Sequence, residues 1–244
     1  MMRWLHMRFR APLVSFGGET IDSRGVIRRF PSRSMLTGLL ANALGWERSM
    51  RLEHQALQDR TVFGALHEGE PPRGLLTDYQ TARLTKDDKS WTSRGVPVGR
   101  AGASYTGSHQ RWRDYHADAS LTVVLRLVPE DPSPTLEEVR SALVKPARPL
   151  FIGRKPCLPS ALIVGDREDD WVDADTAYEA LCAAAPAGDG TLSGFWPESE
   201  GRAGAYHVYG ITDDRNWVSG LHGGSRRVCE GPIPRRRGVE CPAT

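Results

Sequence analysis

Lysine is nearly absent: 4 lysines stand against 28 arginines in 244 residues. Long apolar runs are missing as well. Nothing approaches the length that spans a bilayer, and the opening MMRWLHMRFR lacks the apolar block of a signal peptide. A cytoplasmic location is therefore expected, and a membrane partner is not. Cysteine is sparse and scattered: Cys157, Cys182, Cys229 and Cys241 form no C-x-x-C pair and have no histidine at zinc spacing. That excludes a disulfide framework and a zinc module and leaves reduced thiols. Nucleotide and hydrolase signatures fail too. There is no G-x-x-x-x-G-K-[ST], no G-x-S-x-G elbow and no nucleophilic cysteine signature. GDGTLSG at 188–194 has one residue too many between its second and third glycines for a dinucleotide fingerprint. The adjacent acids Glu168, Asp169 and Asp170, beside a tryptophan, read as a solvated face rather than a metal site. No metal and no cofactor are expected, and no internal repeat marks a solenoid or propeller.

What is present is an ordinary globular composition, 39% hydrophobic and 25% charged, with enough chain for a sizeable core. The net charge of +2 conceals an imbalance. Residues 1–129 carry 19 basic against 12 acidic side chains, and residues 130–244 carry 13 against 18. Much of the acid lies at 165–189, where eight acidic residues accompany one arginine. An arginine bias can reflect a GC-rich genome. It also suits a protein that grips phosphate oxygens with planar forks and stacks on bases.

Alternation over residues 4–9 gives a first strand. RRFPSRSMLTGLLANALGW at 28–46 gives a helix: Met35, Leu36, Leu39, Leu40, Ala43 and Leu44 form one stripe, Ser32 and Ser34 offer N-cap chemistry, and Gly45 closes it. Arg28, Arg29 and Arg33 crowd the end where the helix dipole is already positive, so an anion is expected there. An amphipathic stretch at 52–66 leads to GLLTDYQTA, read as a strand. Residues 79–115 have almost no aliphatic side chains, seven basic and three acidic residues, four glycines and five aromatics, Tyr79, Trp91, Tyr105, Trp112 and Tyr115. Such a segment cannot bury a core of its own, and a loop this long is functional or disordered. Order returns in ASLTVVLRLV at 119–128. A helix follows with Thr135 and Glu138 as capping box, then RPLFIGRKPCLPS as a short strand, and a helix opened by Thr176 and Glu179. Short strands such as AYHVYGI occupy the Gly-rich end.

This order describes an α+β, ferredoxin-like (RRM-like) sandwich over 1–164 with an insert at about 79–115, and a small C-terminal subdomain of acidic helix and short strands at 165–244. Its chemistry is binding chemistry. Basic side chains interleaved with aromatics make a single-strand surface, charges following phosphates while rings stack on bases. One catalytic alternative stands beside it: His116 and Tyr115, at the foot of the insert, could deprotonate a 2′-hydroxyl and protonate a leaving oxygen without metal.

Several motifs then resemble a known family. RAPLVSFGG at 10–18 resembles the G-P-L-Q-S-W-G turn of the Cas5 family of CRISPR-associated RNA-binding subunits, with Val14 and Phe16 in place of Gln and Trp. FPSRSMLTGLLANALGW resembles its P-[ST]-[KR]-S-x-[LI]-x-G-L-L-x-A-A-L-G helix. LTDYQTA is similar to L-x-D-Y-[HQ]-T, and RDYHADASLTVVL to R-x-Y-L-x-D-A-x-F-x-V-x-L, with His116 where Leu is usual. LFIGRKPCLPS is close to the L-Y-L-G-R-K-[SA]-C-P-P-S motif of the subtype I-E branch. The resemblance implies a RAMP-type fold whose insert is a basic β-hairpin thumb. It implies a non-catalytic subunit of Cascade, the crRNA-guided antiviral complex, that holds the crRNA 5′ handle and caps the backbone filament. The partners implied are the backbone subunit CasC, the large subunit CasA and, through the complex, target DNA. Two alternatives remain open: a metal-independent endoribonuclease that processes pre-crRNA, as in the I-C branch, and a purely architectural adaptor. The residues expected on RNA are Arg24, Arg28, Arg29, Ser32, Arg33, Ser34, Arg83, Lys86, Lys89, Trp91, Arg94, Arg100, Arg111, Trp112, Arg113, Arg154 and Lys155.

Overall fold

The computed structural model describes residues 1–21, 23–68, 74–83, 90–91, 97–98, 108–165, 168–201 and 207–236. In chain order its strands and helices are β1 (Met2–Val14), β2 (Phe16–Ile21), β3 (Arg24–Arg28), α1 (Arg33–Ala43), α2 (Arg51–Arg60), β4 (Thr61–His67), β5 (Leu75–Arg83), β6 (Ser90–Trp91) and β7 (Pro97–Val98). There follow β8 (Ser108–Leu127), α3 (Leu136–Val144), β9 (Trp171–Ala174), α4 (Ala177–Ala184), β10 (Thr191–Pro197), β11 (His207–Ile211), β12 (Asp214–Arg215), β13 (His222–Gly223) and β14 (Arg226–Pro234). This is a mixed α+β protein. Among the described residues no helix is long and apolar enough to cross a membrane.

One sheet runs β11-β14-β10-β4-β8-β1-β9. Alternation puts Leu5, Met7 and Phe9 of β1 and Leu121, Val123 and Leu125 of β8 on one face, packed with Leu36 and Leu40 of α1, Leu57 of α2 and Val139 of α3. The even-numbered positions Trp4 and Val124 face the other way and meet Ala177, Ala180 and Leu181 of α4, with Leu66 and Trp196. The result is three layers: helices α1–α3, the sheet, then α4. Residues after 165 belong to this same sheet. β10 pairs with β4 through Ser193–His67 to Phe195–Ala65, and β9 pairs with β1, so the boundary expected at residue 165 runs through a continuous hydrogen-bonded layer.

Local signals account for the helix ends. Ser32 accepts from the Met35 N–H at 3.1 Å. The Thr135–Glu138 capping box is complete, with 3.2 Å from the Glu138 N–H to the Thr135 hydroxyl and 2.7 Å from the Thr135 N–H to the Glu138 carboxylate. The stretch at 52–66 divides into α2 and the buried strand β4, because Thr61 switches the period from helical to alternating.

RPLFIGRKPCLPS is not a strand. Pro149, Pro156 and Pro159 have no N–H to give a ladder, and residues 152–163 instead run irregularly along β1, touching it through Arg8 N–H to Ile163 O at 2.7 Å and Ser160 N–H to Arg10 O at 2.8 Å. Gly153 adopts φ 101°, and a Cβ there would sit 1.9 Å from the Ser15 carbonyl oxygen. Gly153→Ala must push two backbones apart. It is expected to destabilise the fold by about 3 kcal/mol or more, read as a lowered midpoint in urea, and a variant within about 0.5 kcal/mol of wild type would contradict this packing.

The acids at 168–170 are not a solvated face either. Asp170 is completely buried, accepting from Arg8 at 3.1 Å, Arg140 at 3.3 Å and the Gly165 N–H at 3.2 Å. A buried carboxylate needs such partners to offset its lost hydration. Asp169, by contrast, keeps its side chain mostly in solvent while pairing with Arg8 at 2.6 Å.

Candidate nucleic-acid interface

The anion expected at the start of α1 is supplied by the chain itself. Asp213 is buried and accepts from the Arg33 N–H at 3.0 Å, while its carbonyl takes the Ser34 N–H at 3.3 Å. Arg226 grips the same carboxylate at 2.8 and 2.7 Å. The Arg33 guanidinium pairs with Asp214 at 3.3 Å, and Arg29 pairs with Glu230 at 3.1 Å while lying over the Phe195 ring. Burial pushes the Asp214 carboxyl up from its usual range, against the pull of Arg33. Arg29 and Arg33, expected on phosphate, thus each have an internal carboxylate partner in the fold. Ser32 and Ser34 bond each other at 3.2 Å, and Ser32 is occupied as the cap. Arg28 ends β3, half-buried.

A second group of arginines is placed differently. β3 runs parallel to β8 with Gly25 opposite Arg113 and Arg24 opposite Trp112. A Cβ on Gly25 would lie 3.0 Å from an Arg154 nitrogen and 3.1 Å from an Arg113 nitrogen, so two guanidinium groups converge on this bare stretch of backbone. Arg154 donates to the Asp114 carbonyl at 3.2 Å and lies 5.1 Å over the Tyr115 ring. Arg24 sits 5.8 Å over Trp112, which is 5.2 Å from Tyr79 across the strand pair. Among the described residues no carboxylate pairs with Arg113 or Arg154. Two positive forks side by side repel each other, and with no carboxylate among the described residues to answer them they favour an incoming anion.

The segment expected as an insert begins as a regular hairpin stem. β5 pairs antiparallel with the first half of β8 from Leu75–His116 to Arg83–Ser108. Nearly every residue of β5 is exposed, and so are Arg83 and Arg111. Lys86, Lys89, Arg94 and Arg100 lie outside the described residues, and Trp91 is described by its backbone in β6 alone. Lys155 is exposed beside Arg154.

Three further side chains carry no local sequence signal. A cleft of about 510 Å³ opens between α1, the 151–154 loop and the β12–β13 hairpin, lined by Ser34, Asn42, Arg154, Arg215, Trp217 and His222 among others. Arg154 joins it to the arginine group. Arg215, Trp217 and His222 come from a short Gly-rich stretch whose place beside α1 depends on distant contacts, such as the Gln58 side chain with the Arg215 backbone at 2.9 and 3.1 Å.

His116 is held by the fold. Its Nε2 donates to the Arg28 carbonyl at 2.9 Å, and its ring lies 5.9 Å from His67 and 6.3 Å from Phe16. Tyr115 is buried on the opposite side of the strand. The Tyr209 phenol, beside Phe30 and Glu230, is pushed up to about 12, first by burial and then by Glu230, so it stays protonated at neutral pH. One ring nitrogen of His116 is thus engaged by a backbone carbonyl, and Tyr115 lies on the other side of the strand, so the two side chains do not face one site.

The model of the CRISPR-associated Cas5 protein family matches residues 4–229. The chain is a member of the Cas5 family. It is 30% identical over 157 residues to the CRISPR system Cascade subunit CasD of Escherichia coli strain K12, covering 64% of this chain and 67% of that one. Two solved structures share the fold. A chain of a CRISPR RNA-guided surveillance complex has a TM-score of 0.66 at 21% identity, over 95% of this chain and 90% of that one. A crystal structure described as a Cas protein has a TM-score of 0.59 at 24% identity, over 98% and 100%.

Proposed function

We propose that this Cas5-family chain is a non-catalytic subunit of a Cascade-type complex that binds the 5′ handle of crRNA. The observation that carries the reading is the convergence of Arg113 and Arg154 on Gly25, with Arg24 and Trp112 beside them. Forks with no counter-ion among the described residues suit phosphates, and neighbouring aromatics suit unpaired bases. The relationship to CasD supports the assignment to Cascade. The sheet order β9-β1-β8-β4, with helices after β1 and after β8, fits a ferredoxin-like core. The β5–β8 hairpin would then serve as the thumb towards a backbone subunit such as CasC, with CasA at another face.

The test is incubation of the purified chain with single-stranded CRISPR repeat RNA in EDTA. The expected result is retention without cleavage, unchanged in His116→Ala. Cleavage at one position, abolished by His116→Ala, would establish a processing nuclease instead. Absence of binding at low salt would favour the architectural adaptor.

A further inference from the structure

We infer that the cleft between α1 and the β12–β13 hairpin is a single-nucleotide pocket: one unpaired base of the bound RNA lies on the face of the Arg215 guanidinium, and the adjoining phosphate takes its edge. This rests on the RNA-binding reading and assigns a distinct subsite within it.

Arg215 is the outer tier of a column. Its guanidinium carbon lies 5.2 Å over the Trp217 ring, and Trp217 lies 4.6 Å from His54 at 33°. Arg215 and Trp217 line the cleft, while His54 is buried behind them. The column is fixed from below. Trp217 donates its backbone N–H to Gln55 at 3.0 Å and its indole N–H to the buried Gln58 at 3.0 Å. Gln58 also holds the Arg215 backbone at both its N–H and its carbonyl, so the loop position does not depend on the Arg215 side chain.

The guanidinium has no acceptor among the described residues. Arg29, Arg33 and Arg226 each meet a carboxylate, but among the described residues none pairs with Arg215, and its Nε is buried with no hydrogen-bond partner. A guanidinium with no carboxylate beside it favours a phosphate oxygen arriving at its open edge. A guanidinium seated on an indole still offers its other face to a flat ring and its edge N–H groups to an anion. Gly17 also lines the cleft, and a Cβ there would meet nothing within 4 Å, so backbone at that point is open to a flat ring.

The test uses a 5′-labelled single-stranded RNA of about eight nucleotides and a set of the same RNA with one abasic site moved along it. Affinities are measured by anisotropy for wild type, Arg215→Ala and Arg215→Lys. In wild type, removing the base at one position weakens binding about tenfold. In both variants that position becomes indifferent to base removal, while the others keep their wild-type pattern. Lysine retains the charge but neither the plane nor the Nε, so it does not restore the effect. An abasic profile in Arg215→Ala or Arg215→Lys that matches wild type overturns the pocket while leaving RNA binding standing. Failure of wild type to bind any of the RNAs overturns both.

Discussion

Replacing Arg113 and Arg154 together by alanine is expected to lower affinity for single-stranded RNA about a hundredfold at moderate salt. Two charge-assisted hydrogen bonds, each contributing about 1.5 kcal/mol or more, account for that size. The salt dependence gives the sharper reading. Each phosphate that the variant no longer neutralises should flatten the slope of log K against log salt by roughly 0.7, so the double variant should flatten it by about 1.4. Arg29→Ala serves as the contrast. Its guanidinium already pairs with Glu230, so its removal should leave the slope nearly unchanged. A double variant with the wild-type slope, or an Arg29 variant that flattens it as much, would sink the placement of the phosphate track at Gly25.

The second large effect concerns stability. Asp170→Ala should destabilise the protein by about 3–5 kcal/mol, since it removes the buried carboxylate shared by Arg8 and Arg140, both mostly buried, and leaves Arg8 only the largely solvated Asp169. At roughly 2–4 °C per kcal/mol for a chain of this size, the melting temperature should fall by about ten degrees. Asp169→Ala removes a pair whose carboxylate is largely solvated and should cost about 1 kcal/mol or less. Comparable midpoints for the two variants would contradict the central role of Asp170.

The contrast between these two aspartates shows how far local sequence reaches. They are neighbours in one acidic run, and nothing in EDD marks the third residue for burial. Its partner Arg8 is 162 positions away. Local signals are legible: Ser32 before α1, Thr135 with Glu138 before α3, and the unbroken apolar run that forms the central part of β8. Signals that depend on distant pairing are not. β4 merges with α2 in the sequence because no Gly or Pro separates Arg60 from Thr61, and composition alone makes a strand of the proline-punctuated 148–160 segment. At the interface the same limit applies. The crowd of arginines before α1 is evident, but Asp213, which answers the helix N-terminus, lies 180 positions from Arg33. Arg113 and Arg154 are legible as basic residues, and their convergence on Gly25 is not. Arg215 and Trp217 have no pattern at all to announce them.

Strand β8 is 20 residues long and belongs to two structures at once. Its second half is the middle of the core sheet, between β1 and β4, and its first half is one leg of the hairpin stem. At the join, Asp118 adopts φ 53° opposite Pro12, which has no N–H to offer, so the ladder skips one rung and the strand turns without being cut. Extended, such a strand spans roughly 66 Å. A projecting limb on a flexible tether would swing independently of the body. Here the stem and the core sheet share one unbroken strand, so a tug on the stem would act on the best-buried part of the molecule through covalent backbone. A load on the stem would therefore reach the core sheet through the strand itself, with the backbone turn at residue 118 as the weakest rung between them.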